Sequence, residues 1–287
     1  MSPPFPAAVT RAVEALGDPR AMPDVAWVTQ LTGRSIDEVE SVLAELGDLA
    51  EVEGAIRTRH VSAGRDFYAQ FRAPFELYAL VRLTAPEHVV ETGVSSGVSS
   101  AHILLALARN GRGTLHSIDL PLRQKSLTLG ARESPVALPP GKKSGWAIPA
   151  PVKAGWDLHL GPSQQLLPVL VERLPSIGLF LHDDLHTPTH LAFELATIRA
   201  KLTPGAIVLA DNTQWTGRAF DRFAASLRVP VYRRAGSDLV GLNVPPTLGP
   251  PGPRATRGRR TPSAGAARRR APAVRRSRGR TPSRSRS

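Results

Sequence analysis

The sequence of 287 residues contains no cysteine. Disulfide bonds, thiolate metal ligands and a cysteine nucleophile are therefore excluded, and a reducing compartment is compatible with this composition. The sequence also lacks any apolar run that approaches the roughly 20 residues of a membrane span, and residues 1–6 do not resemble a signal peptide. We therefore expect a soluble, cytoplasmic protein that makes no contact with a membrane.

Acidic residues are missing from one end of the chain. The formal net charge is +13, but 13 of the 37 basic residues are arginines of the segment 246–287, which has neither lysine nor acid. The remaining chain balances 24 basic against 24 acidic residues, so the charge says nothing about the ligand of a folded domain. The composition of 246–287 predicts a disordered tail, which could contact a polyanion or nucleic acid or have no function.

Residues 1–60 are predicted to form a helical appendage. Three segments have the apolar periodicity of short helices: 7–16, 24–31 and 35–46. Ser35 and Glu38 form the pattern of a capping box, and the surrounding sequence is typical of a helix-turn-helix. Because the second of these helices is acidic, DNA binding is disfavoured, and a helical cap or a homodimer contact is the preferred interpretation.

Residues 61–245 alternate between helix and strand patterns after an initial helix predicted at 65–83. The predicted strands lie around 88–91, 114–119, 156–160, 177–182, 206–211, 229–233 and 238–244. Such alternation predicts a parallel sheet with helices on both faces, and the closing hairpin adds an antiparallel strand at one edge. The long loop that contains Trp146 is interpreted either as an ordered lid or as a patch on the core.

The run 88–100 has the pattern of a strand, a tight glycine turn and a helix. Gly93 and Gly97 lack the Cβ atoms that would keep a ligand away from the backbone, and Ser95 or Ser96 could cap the helix. An ordinary α/β turn with incidental glycines is the alternative. The turn therefore predicts a ligand site without identifying the ligand.

Two acids restrict the choice of ligand. Asp119 ends the second strand, where an acid can accept hydrogen bonds from both hydroxyls of a ribose. Glu91 ends the first strand, where a carboxylate repels phosphate and suits a nearby ammonium or sulfonium group. The glycine spacing also departs from the dinucleotide fingerprint. We therefore expect a nucleoside that carries positive charge.

Glu91-x-Gly93-x-x-x-Gly97, followed by Asp119, resembles the first two motifs of class I S-adenosylmethionine-dependent methyltransferases. The resemblance covers roughly residues 67–244 and implies a Rossmann-like sheet of seven strands in the order 3-2-1-4-5-7-6, with the last strand antiparallel. It implies S-adenosyl-L-methionine as cofactor. The candidate cofactor contacts are Glu91, Gly93, Ser95, Gly97, Asp119, Gly161, Ser163, Gln164 and His182.

Ser163 and Gln164 are included because their loop resembles the adenine-binding loop of catechol-type O-methyltransferases, although a simple serine helix cap fits equally well. Asp211 and Asn212 resemble the Asp-Asn pair that holds magnesium in cation-dependent O-methyltransferases, and their oxygens suit Mg²⁺. A turn-forming pair is the alternative there.

The loop after the fourth strand matches those enzymes only after a shift of one residue. Strict alignment puts His182 at the position of the third metal ligand, whereas the shift makes Asp183 that ligand and His186 the catalytic base. The resemblance therefore implies Asp183, Asp211 and Asn212 as metal ligands, and it leaves the need for a metal open.

The loop also resembles a broader family of bacterial class I methyltransferases of mostly unassigned substrate, through the pattern His-Asp-x-x-His-Thr. We expect a methyltransferase that acts on a small molecule at oxygen, with His186 and Asp183 as catalytic residues. Two alternatives stay open. One is an RNA or protein methyltransferase tethered by the basic tail, and the other is a non-catalytic regulatory protein that binds S-adenosylmethionine.

Overall fold

The computed structural model describes residues 7–64, 71–121 and 138–246. The arginine-rich tail, whose disorder was predicted from composition, lies outside the described residues except for its first residue, Pro246. So do most of the loop that follows Asp119 and the first part of the helix predicted at 65–83.

A mixed sheet of seven strands forms the centre of the fold. Its order is β3-β2-β1-β4-β5-β7-β6, as the resemblance implied. Strands β1 to β5 pair in parallel, and β7 is antiparallel to both β5 and β6. The strands are β1 His88–Thr92, β2 Thr114–Asp119, β3 Trp156–Leu160, β4 Ile177–His182, β5 Leu202–Ala210, β6 Tyr232–Arg233 and β7 Val240–Asn243.

The described residues form α-helices on both faces of this sheet. They are α1 Ala7–Leu16, α2 Val25–Thr32, α3 Ile36–Ala44, α4 Ala50–Ala63, α5 Pro74–Thr84, α6 Val98–Asn110, α7 Ser163–Arg173, α8 Pro188–Ile198 and α9 Ala219–Leu227. The predicted capping box is present, because Ser35 and Glu38 exchange hydrogen bonds at the start of α3. None of these helices combines the length and the apolar character needed to cross a bilayer.

Two predictions about the first helices need correction. Helix α4 was not predicted, because its buried residues include Glu53 and His60 and its apolar residues do not gather on one face. The helix predicted at 65–83 is not continuous in its described part, since residues 71–73 are not helical and α5 begins at Pro74, whose fixed φ suits the first turn. Its neighbour Ala73 is outside the helical region, with φ −125° and ψ 44°.

Alternate residues of each strand enter two separate cores. On one face, Val89 and Leu115 pack with the N-terminal helices, α5 and α6. On the other face, Val90 and Phe180 pack with α7, α8 and α9. Helices α1 to α4 thus share a core with one face of the sheet.

A buried ion pair joins α4 to α6. Glu53 Oε1 lies 2.7 Å from His102 Nε2, and both side chains are completely buried. The other ring nitrogen of His102 lies 2.7 Å from the carbonyl oxygen of Val98. Burial alone would lower the pKa of His102, but Glu53 and the carbonyl group outweigh burial and raise it. The pair therefore links α4, a helix of the N-terminal region, to α6, the helix that follows the glycine turn.

Helix α2 packs against the antiparallel end of the sheet. The indole Nε1 of Trp27 donates to the carbonyl oxygen of Tyr232 at 3.1 Å, and the amide of Asn243 donates to the carbonyl oxygen of Leu31 at 2.8 Å. A Cβ atom on Gly241 would fall 3.0 Å from both methyl carbons of Leu31. The helix and strand β7 are therefore in direct contact.

Candidate functional site

The carboxyl ends of the parallel strands bring most of the predicted site residues to one edge of the sheet. The backbone ladder continues past the strand ends, since the amide of Asp183 donates to Thr92 at 2.8 Å and the amide of Asp211 donates to His182 at 2.9 Å. The loops after β1, β4 and β5 therefore lie side by side. Ligands of open α/β sheets bind at this edge.

Both glycines of the turn have positive φ and are closely approached by other segments. Gly93 has φ +86°, and a Cβ atom there would fall 1.9 Å from the carbonyl oxygen of Asp183. Gly97 has φ +91°, and its Cβ atom would fall 2.6 Å from the side chain of Ile148. The absence of side chains at these positions lets two protein loops reach the turn.

The serine cap predicted for α6 is wrong. The N-cap residue is Gly97, which has no side chain to accept a hydrogen bond. The hydroxyls of Ser95 and Ser96 are instead buried without a hydrogen-bond partner among the described residues. A buried polar group without a partner costs about 1–3 kcal/mol. Two such hydroxyls at the turn fit a site that receives a polar ligand.

Asp119 stabilises the glycine turn through hydrogen bonds. Its Oδ1 accepts hydrogen bonds from the backbone amides of Val94 at 2.9 Å and Ser95 at 3.3 Å. Its Oδ2 accepts a hydrogen bond from the hydroxyl of Ser144. The carboxylate therefore shapes the turn, and its contact with a ribose stays a prediction. Ser144 was not identified from the sequence, because a lone serine in a long loop carries no pattern.

The loop around Trp146 is ordered against the turn. Its backbone amides at Gly145 and Ala147 donate to the carbonyl oxygens of Ser95 and Ser96, at 2.8 and 3.0 Å. The ring of Trp146 meets the ring of His60 edge-on, with centroids 5.1 Å apart. The loop is thus paired with the turn and also contacts α4.

Glu91 lies beneath the turn with no exposed surface. It accepts hydrogen bonds from the hydroxyls of Ser99 at 2.5 Å, Ser100 at 2.6 Å and Ser117 at 2.7 Å. Burial raises the pKa of Glu91 to about 7, although the three hydroxyls oppose this shift. The side chain joins β1 to α6 and β2, and its predicted contact with a cofactor stays a prediction.

His182 faces helix α8. Its Nδ1 lies 2.7 Å from Glu194 Oε2, an oxygen that also accepts from the hydroxyl of Thr92 at 2.9 Å. Burial alone would raise the pKa of Glu194, but His182 and His190 together lower it to about 2. The Nε2 atom of His182 is buried without a hydrogen-bond partner among the described residues. His182 is therefore part of a buried network, and its contact with a cofactor stays a prediction.

Ser163 and Gln164 join the same network from the start of α7. The hydroxyl of Ser163 donates to Asp184 at 2.7 Å, and the amide nitrogen of Gln164 lies 2.8 Å from His190 Nδ1. The alternative of a simple serine cap is wrong, because the N-cap residue is Pro162. Gly161, before it, has φ +152°. The predicted contact of Ser163 and Gln164 with adenine stays a prediction.

His190 carries the positive charge at the centre of this network. Burial alone would lower its pKa, but the hydrogen bonds and charges of Asp184 and Glu194 raise it to about 9. Ligand atoms of Asp184, His190 and Glu194 lie within 4.8 Å of one another. This group was not predicted, because its members come from a loop and a helix that meet only in the folded chain.

The predicted catalytic and metal-binding residues follow β4 and β5. Asp183 Oδ1 lies 3.5 Å from His186 Nε2. Burial, and next the charge of Asp183, raise the pKa of Asp211 to about 7. Asn212 follows in the left-handed region with φ +50°. Two neighbouring carboxylates beside an amide are a donor set that suits a hard cation such as Mg²⁺.

The fold and a family comparison agree on the class of protein. Residues 90–213 match the model of a family described as a methyltransferase domain. This range includes all the predicted site residues, from Glu91 to Asn212, and the strand order is the one that the resemblance implied. Residues 90–213 thus match a methyltransferase domain and lie in a sheet with the strand order that the resemblance to class I S-adenosylmethionine-dependent methyltransferases implied.

Several solved structures are similar to the chain. The methyltransferase PaMTH1 of Podospora anserina, solved with SAH bound, is 18% identical with a TM-score of 0.44, covering 67% of this chain and 86% of that one. The O-methyltransferase TomG of Streptomyces achromogenes, solved with SAM, is 17% identical with a TM-score of 0.45, covering 67% and 89%. A putative O-methyltransferase of Klebsiella pneumoniae is 16% identical with a TM-score of 0.44, covering 85% and 98%. No curated protein matches the chain in sequence.

Proposed function

We propose that this methyltransferase transfers a methyl group to a hydroxyl oxygen of a small molecule. The observation that carries the proposal is the grouping of Asp183, His186 and Asp211 beside the glycine turn. A base next to a cofactor turn can remove the proton of an acceptor hydroxyl, and a cation held by the two carboxylates would stabilise the resulting oxyanion.

The cofactor would lie against the glycine turn. Asp119 would accept the ribose hydroxyls, and the proposal is supported by the hydroxyls of Ser95 and Ser96, which offer hydrogen bonds that no described residue uses. When bound, S-adenosylmethionine supplies an electrophilic methyl group. The protein's contribution is then mainly to place the acceptor oxygen in line with that group and to keep water away.

His186 is the proposed proton acceptor. An imidazole is the side chain best suited to take a proton near neutral pH. Asp183, whose Oδ1 is 3.5 Å from His186 Nε2, would orient the ring and stabilise it once it is protonated. The side chain of His186 is only 6% exposed, so bulk water competes little for the proton.

Asp183, Asp211 and Asn212 would hold a magnesium ion if the enzyme uses one. The charge of Asp183 contributes to the raised pKa of Asp211, so the two carboxylates repel each other. A cation between them would offset this repulsion, which supports these residues as metal ligands. A bound cation would lower the pKa of the acceptor hydroxyl. His186 would then take the proton from a more acidic group.

The arginine-rich segment 246–287 supports a second proposal, in which the acceptor is RNA or a protein held by the tail. A comparison of the full chain with a chain shortened to residue 245 separates the two. We expect the shortened chain to keep its melting temperature, its cofactor affinity and its turnover of small acceptors, and to lose polyanion binding.

The test measures S-adenosylhomocysteine formation with a panel of catechols and other small hydroxyl compounds, and with RNA. Turnover of a small acceptor by both chains supports the first proposal. Turnover of RNA alone, lost after shortening, contradicts it and supports the tether. Cofactor binding without turnover of any acceptor would indicate a regulatory binding protein.

A further inference from the structure

A second cluster of imidazole and carboxylate groups lies on strands β1 to β3. His116 Nδ1 is 3.0 Å from Asp157 Oδ2, and His159 Nε2 is 2.9 Å from the same oxygen. One ligand atom from each of the three residues lies within 4.8 Å of the other two. A third imidazole adjoins them, since His88 Nδ1 is 3.2 Å from His116 Nε2.

The cluster is separate from the proposed methyl-transfer site. His116 pairs directly with Asp157 in the ladder between β2 and β3, and His159 is two residues further along the same face of β3. Ser117 and Asp119 alternate with His116 along β2 and therefore belong to the opposite face. None of the four cluster residues belongs to the loops that carry the catalytic and cofactor-binding residues.

We propose that His116, Asp157 and His159 bind a divalent transition-metal ion of the zinc type. Two imidazole nitrogens and one carboxylate oxygen are ligands that zinc accepts, with water in the fourth position. Bonds of about 2.0–2.1 Å to a tetrahedral ion place its ligand atoms roughly 3.3 Å apart. The observed separations of 2.9 and 3.0 Å are close to this spacing, so a small outward shift makes room for the ion.

His88 has a positioning role in this site. A histidine that binds a metal through one nitrogen usually donates a hydrogen bond from the other, and this fixes its tautomer and ring orientation. His116 would bind the ion through Nδ1 and donate from Nε2 to His88 Nδ1, which lies 3.2 Å away. Strands β1, β2 and β3 thus contribute to one site on a rigid sheet.

The position of the site also suggests what the ion does. Within the described part of the chain, strand β3 is the last strand at its edge of the sheet and pairs only with β2. The side chains of Asp157 and His159 are 50% and 29% exposed, so an ion can reach them from solvent. A bound ion would join the edge strand to β2 through side chains as well as through the backbone ladder.

Cobalt(II) titration followed by visible absorption tests the proposal. The full-length chain is prepared without a histidine tag and stripped of metal with a chelator that is then removed. With excess Mg²⁺ present to occupy the proposed site at Asp183, Asp211 and Asn212, we expect saturation at one equivalent, displacement by Zn²⁺, and affinity weakened by more than about 100-fold in His159→Gln and in Asp157→Asn. His88→Gln should weaken binding less, because loss of an orienting partner typically costs about 10–100-fold and a direct ligand more.

Asp184→Asn is the matched control, since it removes a ligand group from the other cluster that could hold a metal. It should keep the Co²⁺ affinity of the original chain. Zn²⁺ should raise the melting temperature of the original chain and of Asp184→Asn but not of His159→Gln. Unchanged affinity in His159→Gln, loss of binding in Asp184→Asn, or absence of saturable binding would each overturn the proposal. Because Asp157 and His159 are partly exposed, their variants should fold, and circular dichroism checks this.

Discussion

Ser144 donates a hydrogen bond to the carboxylate of Asp119 and so connects the loop after β2 to the acid that ends this strand. The same carboxylate accepts hydrogen bonds from two backbone amides of the glycine turn. Asp119 is therefore engaged with protein atoms on both of its oxygens. A ribose that binds there has to share Asp119 with the turn and replace or join Ser144.

Asp119→Ala should weaken the binding of S-adenosylmethionine by about 1.5–3 kcal/mol, because a charged acceptor of two hydroxyls is lost. Titration calorimetry measures the change in Kd. Ser144→Ala is the control, since it removes the competing hydroxyl and leaves the carboxylate in place, and we expect its affinity to be equal or higher. An unchanged Kd in a folded Asp119→Ala variant would mean that the ribose binds elsewhere.

If Asp183, Asp211 and Asn212 hold a cation, Asp211→Asn should reduce methyl transfer by about 100-fold or more, because the Lewis-acid contribution of such a cation is worth several kcal/mol. EDTA should reduce the activity of the original chain to a similar extent, and magnesium should restore it. Cofactor binding should survive the chelator. Asp221→Asn is the matched control, since Asp221 forms a surface ion pair with Arg233 and should tolerate the change.

Activity that persists in the chelator, and that falls instead on His186→Gln, would contradict the metal requirement. In that outcome His186 would remove the proton without help from a cation.

Glu91→Gln should change how stability depends on pH. The folded protein keeps a proton on Glu91 up to a pKa of about 7, whereas the unfolded chain releases it near the ordinary glutamate pKa of 4.5. The free energy of unfolding of the original chain should therefore fall as the pH rises through this window, by about 3 kcal/mol for a shift of this size. The glutamine variant should not show this fall.

Urea denaturation of both proteins at several pH values between about 4.5 and 8 measures the difference. The stability of the Glu91→Gln variant relative to the original chain should therefore increase as the pH rises. A difference that stays constant with pH would show that Glu91 is ionised in the folded protein throughout this range.

Glu53→Gln should destabilise the protein by about 3–5 kcal/mol, because it leaves the buried charge of His102 without its partner. The double change Glu53→Gln with His102→Gln should cost less than the sum of the two single changes. The pKa of His102 is raised in the folded state, so the contribution of the pair is complete below the ordinary histidine pKa and is lost as the pH rises through the raised value. The difference in the free energy of unfolding between the original chain and Glu53→Gln should accordingly become smaller at alkaline pH. If the effects of the two single changes simply add in the double variant, the pairing is contradicted.

The sheet and the glycine turn could be predicted because their signals are local. The β-branched strand of β1, Gly93, Gly97 and the acid at the end of β2 all lie within a short stretch of sequence. Resemblance to a known family then supplied the strand order, which the structure confirms. The positions of Asp183 and Asp211 at one edge of the sheet follow from that order.

The features that could not be predicted depend on residues far apart in the sequence. Helix α4 buries Glu53 against His102, which is 49 residues away in the sequence. Because a charged residue lies on the buried face of this helix, its sequence lacks the apolar periodicity that predicts a helix. Ser95 has φ +47°, an uncommon value for a residue with a side chain, so no sequence pattern marks it. The predicted serine cap failed because Gly97 occupies that place in the turn.

Helix α2 and strand β7 would have to be exchanged together in any chimera of this enzyme with a relative. Leu31 fills the space that the missing side chain of Gly241 leaves, and Asn243 binds the end of the helix through Leu31. An N-terminal region from a relative would pack against a strand that is complementary to Leu31. A β7 strand from a relative with a larger residue at position 241 would displace α2. Recombination between relatives should therefore be tolerated only when both ends of the described chain come from the same parent.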